Sequence, residues 1–116
     1  MTAPRGADGA AEAAAAQFLA RQGLTLTCSN YRCRMGEIDL VLQDGPSIVF
    51  VEVRLRTNTA FGGAAESIGP RKRARIIAAA RHYLAGKPDL PCRFDVVLLD
   101  RLRPPQIEWI RDAFSA

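Results

Sequence analysis

Histidine and cysteine are scarce in this sequence, and each scarcity removes a class of function. The single histidine, His82, falls within a helical pattern. That leaves no basis for a histidine-rich metal site or a serine–histidine triad. Three cysteines, Cys28, Cys33 and Cys92, form an odd set with no Cys-x-x-Cys pair. Neither a disulfide framework nor a zinc pattern can be drawn from them, and reduced thiols suit a cytoplasmic protein. No apolar run approaches the roughly 20 residues needed to cross a bilayer. The short alanine run at 13–16 follows Asp8 and Glu12 and does not read as a secretory leader. A cytoplasmic chain with no membrane association is expected.

What is present suits one small domain. The chain has 116 residues, of which 48% are hydrophobic, enough for a core without covalent staples. Lys and Arg number 16 against 12 Asp and Glu, a net charge of +4. So modest an excess permits a polyanionic partner without requiring one. The cations are clustered, however. Arg71, Lys72, Arg73 and Arg75 lie together, and smaller pairs occur at Arg32/Arg34, Arg54/Arg56 and Arg101/Arg103. Solvated surface is the plainest reading of any one pair.

Residues 1–8, rich in Pro, Gly and Ala, are expected to be disordered, with 9–116 forming the domain. The alanine-rich stretch from Ala10 to Gln22, followed by Gly23, predicts a helix with a glycine just past its end. Leu24 to Asn30 alternates as a strand does. Glu37–Leu42 and Ile48–Arg54 flank Asp44-Gly45-Pro46 and predict an antiparallel hairpin. A loop over 57–69 carries Phe61-Gly62-Gly63, a candidate substrate loop or an ordinary turn. Pro70 then stands at a helix start, and Ile76, Ile77, Ala80, Tyr83 and Leu84 recur at helical spacing until Gly86 and Pro88. Arg93–Leu99 reads as a strand buried on both faces. Ile107–Ile110 reads as a last short strand, with Ala113-Phe114 as a terminal tether. The order is α-β-β-β-α-β-β, and the helix between the third and fourth strands implies a parallel crossover in a mixed sheet.

Chemistry concentrates on the hairpin. If residues 44–47 form its loop, Gln43 faces Ile48, Asp39 faces Glu52 and Glu37 faces Arg54. Asp39 and Glu52 would then stand roughly 5 Å apart as a cross-strand pair. Paired carboxylates repel, and a divalent cation is a natural partner. Mg²⁺ takes one or two carboxylates and leaves its other positions to water and phosphate oxygens. The competing reading is a salt-bridge ladder of Glu37, Asp39, Glu52 and Arg54 on an exposed sheet face. The apolar setting Val49-Phe50-Val51-Glu52-Val53 weighs against exposure.

Several segments together resemble a known family. They are Asn30-Tyr-Arg-Cys-Arg-Met-Gly-Glu-Ile-Asp-Leu40, Val49-Phe-Val-Glu-Val-Arg-Leu-Arg56, Phe61-Gly62, Arg71-Lys72, Arg93-Phe-Asp-Val-Val97 and Glu108-Trp-Ile-Arg-Asp-Ala-Phe114. In order and spacing they look like the bacterial YraN family, the UPF0102 proteins, over nearly the whole chain. That family is similar to Holliday-junction resolvases and to the PD-(D/E)xK, restriction-endonuclease-like proteins. The resemblance implies an α/β restriction-endonuclease-like fold and Mg²⁺ or Mn²⁺ held by Glu12, Asp39 and Glu52. It also departs from the pattern. Arg54 stands where the motif lysine belongs, and Ala11 where a glycine usually precedes the helix glutamate. A guanidinium cannot exchange a proton near neutral pH, and this puts cleavage in question. Lys72 would supply a substitute ammonium if it reaches the sheet.

Three functions follow as alternatives: a metal-dependent endonuclease on structured DNA using Glu12, Asp39, Glu52 and Arg54; a DNA-binding module without the chemistry; or an interaction protein with a structural acidic pair. In the first two, Arg56, Arg71, Lys72, Arg73 and Arg75 would contact the nucleic acid, helped by the helix N-terminus. A homodimer would suit a two-fold substrate. Asp95 is expected as a structural acceptor. Tyr31 and Trp109 are expected in packing rather than base stacking, and Cys33 would be reactive only if exposed.

Overall fold

The computed structural model describes residues 6–56, 68–87, 89–100 and 104–116. Its elements are α1 (Gly6–Arg21), β1 (Thr25–Cys33), β2 (Gly36–Asp44), β3 (Ser47–Leu55), α2 (Pro70–Leu84), β4 (Cys92–Leu99) and β5 (Ile107–Phe114). The expected order holds. The strands form one sheet in the order β1-β2-β3-β4-β5. All pairs are antiparallel except β3–β4, which is parallel and reached through α2. This mixed sheet matches the strand order of the restriction-endonuclease-like topology.

Each helix covers one face of the sheet. α1 buries Ala11, Ala15 and Leu19, one turn apart, against Leu40, Leu42, Val49, Val51, Val97 and Leu99. Alanines at these positions let the helix lie close to the strands. Its end is a Schellman turn: Gly23 takes φ +98°, Gly23 N–H bonds Ala20 O at 3.1 Å, and Leu24 N–H bonds Leu19 O at 3.1 Å. The opposite face carries α2, whose Ile76, Ala79 and Ala80 pack on Ile38, Val41, Ile48, Phe50, Phe94, Val96 and Leu98. No helix among the described residues is long and apolar enough to cross a membrane.

Several boundaries differ from the sequence reading. α1 starts at Gly6 rather than Ala10, while residues 1–5 lie outside the described part. β1 runs on to Cys33 and meets β2 at Cys33↔Gly36, so Arg34 and Met35 form a tight turn. Asp44 pairs with Ser47, which reduces the expected four-residue loop to Gly45 and Pro46, with Gly45 at φ +57°. The last strand extends to Phe114. The expected tether is a strand residue whose ring stacks on Phe94 at 5.0 Å. The Phe61-Gly62-Gly63 segment and the Arg101/Arg103 pair lie outside the described residues.

β5 is fastened by a buried anion. Asp95, 0% exposed, accepts from Arg93 Nε at 3.1 Å, Trp109 Nε1 at 3.0 Å and the Asp112 backbone N–H at 2.9 Å. Asp112 sits at φ +51°, where the β4–β5 register shifts. Asp95 is thus the structural acceptor expected, satisfied on both oxygens.

Candidate active site

The expected β2–β3 register is realised, with Gln43 facing Ile48 and Leu40 facing Val51. Beyond Leu40 the ladder stops, at Asp39. Strict alternation would place Ile38 and Leu40 on one face. Instead Ile38 and Val41 join the α2-side core, while Leu40 and Leu42 join the α1 side. Alternation therefore breaks between Ile38 and Leu40. Across the ladder, Asn30 takes φ +54°, and Cys28 and Tyr31 both turn to the α2 side. At the break Asp39 reaches between the strands, and its Oδ2 accepts the Val53 backbone N–H at 2.8 Å. The carboxylate replaces a main-chain acceptor and opens the sheet next to Glu52.

Glu52 is 5% exposed, on the face of β3 shared with Ile48 and Phe50. A carboxylate in such a place is costly unless partnered. Burial, followed by the hydrogen bond and negative charge of Asp39, pushes its pKa up to about 8, against a partial offset from the Lys72 cation. Lys72 Nζ lies 3.1 Å from Glu52 Oε2. The ammonium does reach the sheet, from the first turn of α2.

α2 can bring it there because of Gly36. A Cβ at that position would stand 2.6 Å from Arg75 O, a backbone atom that cannot rotate away. Arg73 secures the same end of the helix: its Nε donates to Ile68 O at 2.8 Å and its guanidinium lies over the Phe114 ring at 5.7 Å. A small cleft at the start of α2 is lined by Glu37, Lys72, Arg75 and Ile76.

The remaining candidates divide. Glu37 does not face Arg54, because the β2–β3 ladder has ended; it pairs across β1 with Arg32 at 3.1 Å. The exposed four-residue salt-bridge ladder is therefore not formed. Glu12 lies half-buried on α1, on the other side of the sheet from α2. Among the described residues no three His, Cys, Asp or Glu side chains gather closely enough to hold a metal. Asp39 and Glu52 are the expected carboxylates that the structure brings side by side. Arg54 is half-buried, two residues along β3 from Glu52. Arg56 is engaged by Glu108 at 2.8 Å, and Arg73 braces the helix. Of the basic residues expected to face nucleic acid, Arg71 and Arg75 stand exposed on α2.

Tyr31 packs on Tyr83 with its hydroxyl bonded to His82 Nδ1, and Trp109 meets Phe18 edge-on with Arg111 over its ring at 4.0 Å. Both aromatics are thus in packing. Cys33 is half-buried against the core. Sequence reading missed the supporting role of Gly36 and the in-plane position of Asp39. A glycine within a strand was the available signal for the first. Nothing local signalled the second.

Comparison with known proteins agrees on one family. The profile of the family described as "Uncharacterised protein family UPF0102" matches residues 11–99. A UPF0102 protein of Nitrosomonas europaea is 57% identical over 106 residues, covering 90% of each chain. One from Nitrosomonas eutropha is 55% identical over 115 residues, covering 98% of this chain and 96% of its own. One from Xanthomonas axonopodis pv. citri is 51% identical, covering 100% and 98%. The matched range spans both the β2–β3 hairpin and α2, and the chain belongs to the UPF0102, or YraN, family.

Proposed function

We propose that this protein is a divalent-cation-dependent endonuclease acting on structured DNA, with Asp39 and Glu52 at its centre. The observation that carries this reading is a buried Glu52 held beside Asp39 at a break in the sheet, opposite the cationic end of α2. Asp39 satisfies the Val53 N–H, but no backbone donor among the described residues explains the buried Glu52 beside it, where an apolar side chain would fill the space at lower cost.

The residues fit such a cation. Carboxylate oxygens are the donors that Mg²⁺ and Mn²⁺ take, and two of them leave positions for water and phosphate. When bound, the ion would neutralise the pair, acidify a water and balance charge on the phosphodiester. In the reaction a water oxygen forms a new bond to phosphorus as the bond to the leaving sugar oxygen breaks. The water gives up one proton to solvent, and the leaving oxygen takes one from solvent. Asp39 keeps its seat through Val53 N–H, so the acidic pair is positioned before substrate arrives. Arg75, exposed at the cleft, and Arg71, exposed in the first turn of α2, would hold flanking phosphates, aided by the positive end of the α2 dipole.

Arg54 at the motif position favours a second reading, a module that binds DNA without cutting it. Incubation with labelled single-stranded, duplex and four-way-junction DNA separates the two, using Mg²⁺, Mn²⁺ or EDTA and wild type beside Glu52→Ala. Metal-dependent cutting absent from the variant is expected. Band shifts without cutting would replace the nuclease by the binding module. Neither effect would make the acidic pair structural. Sedimentation with a four-way junction tests whether two copies engage a two-fold substrate.

A further inference from the structure

We infer that Lys72, on a helix, supplies the ammonium group of the Asp39–Glu52 centre, so that the site does not depend on a lysine at position 54. The inference deepens the nuclease reading and rests on it.

Three observations carry it. First, Lys72 Nζ sits 3.1 Å from an oxygen of a carboxylate that is 5% exposed, while its own side chain remains 43% exposed. A lysine able to stay fully hydrated has turned its head inward, against its rotamer entropy and hydration. Second, the surrounding backbone fixes that geometry. Gly36 admits the α2 backbone at Arg75, and Arg73 ties the first turn to Ile68. The lysine therefore arrives on a positioned helix. Third, the donor count suits the task. An ammonium has three N–H donors. With one directed at Glu52, two remain for the adjoining cleft, where a water or a phosphate oxygen would stand between Lys72 and Arg75. A planar guanidinium on the strand is bulkier and cannot be presented as a point charge in the same space.

A salt bridge that merely holds α2 to the sheet would share the first two observations. It would not leave cleavage sensitive to the kind of cation at position 72. The test compares wild type, Lys72→Met and Lys72→Arg in single-turnover cleavage of the DNA that wild type cuts. The readouts alongside are Mg²⁺ affinity by calorimetry, DNA affinity by band shift with Ca²⁺ and thermal unfolding. Loss of one preorganised donor at the reacting centre typically costs about 10²–10³-fold in rate. A loss of that size is expected in both variants, with DNA and Mg²⁺ affinity within about threefold of wild type. Lys72→Arg keeps a cation against Glu52 and so guards against an unfolded Lys72→Met. Cutting within threefold of wild type in either folded variant would overturn the inference and leave the nuclease reading standing. A rate loss matched by an equal loss of DNA or Mg²⁺ affinity would also overturn it. Wild type that never cuts would overturn both.

Discussion

Replacing Glu52 by glutamine tests the electrostatics of the site without requiring any activity. In the metal-free fold the Glu52 carboxyl is pushed up to about 8 by burial and by Asp39. The folded state therefore binds this proton more tightly than the unfolded chain, where the value is 4.5. The associated stability is fully present below about pH 4.5 and is lost as pH rises through about 8. At about 1.36 kcal/mol per pH unit, the upper bound of that loss is on the order of 4–5 kcal/mol. Water reaching the carboxylate along Lys72 would relax part of it, so about 2–4 kcal/mol is expected. Glutamine has nearly the same shape and no proton to lose. Near pH 5 the two proteins should differ by no more than about 1 kcal/mol, because folded Glu52 is still neutral and only its unfolded form has begun to ionise. At pH 9 Glu52→Gln should be the more stable by the stated amount. Titrations of groups remote from Glu52 are common to both and cancel in the difference. Urea unfolding in EDTA at pH 5, 7 and 9 measures it. A difference that does not change with pH, or a wild type that is the more stable at pH 9, would refute the reasoning. Adding Mg²⁺ at pH 8 should stabilise wild type by about 2.7 kcal/mol at a hundred times its Kd and leave Glu52→Gln unmoved.

Other outcomes are expected from the packing. Asp95→Ala leaves Arg93 and Trp109 without their shared acceptor and should cost about 3 kcal/mol or more; urea unfolding measures this, and fluorescence from the sole tryptophan should report a loosened β5. Gly36→Ala drives a methyl against Arg75 O and should cost about 1–3 kcal/mol while drawing Lys72 away from Glu52. Unchanged unfolding midpoint and unchanged cleavage would contradict that. Removing Arg71 and Arg75 together should lower the salt dependence of DNA binding by roughly 0.9 per lost phosphate contact. An unaltered slope in band shifts from low to moderate salt would exclude the α2 surface as the DNA contact.

The amino-acid sequence by itself determined the elements and their order. Alanine spacing with Gly23 set α1, Pro70 and the apolar stripe set α2, and the Gly45-Pro46 turn set the β2–β3 register, because each signal acts over a few neighbouring residues. It also singled out Asp39 and Glu52, since acidic residues in runs of strand-forming apolar residues are conspicuous. The tertiary structure decided which groups meet. Alternation along β2 fails at Asp39, where the chain turns its faces over, and so Glu37 goes to Arg32 instead of Arg54. Glu12 lies on the far side of the sheet from α2 because α1 and α2 cover opposite faces. Arg56 and Arg73, alike in sequence to Arg71 and Arg75, are taken up by Glu108 and by the Ile68 carbonyl. The approach of Lys72 to Glu52 depends on how closely one backbone passes another at Gly36, a distance set by packing between elements far apart in the chain.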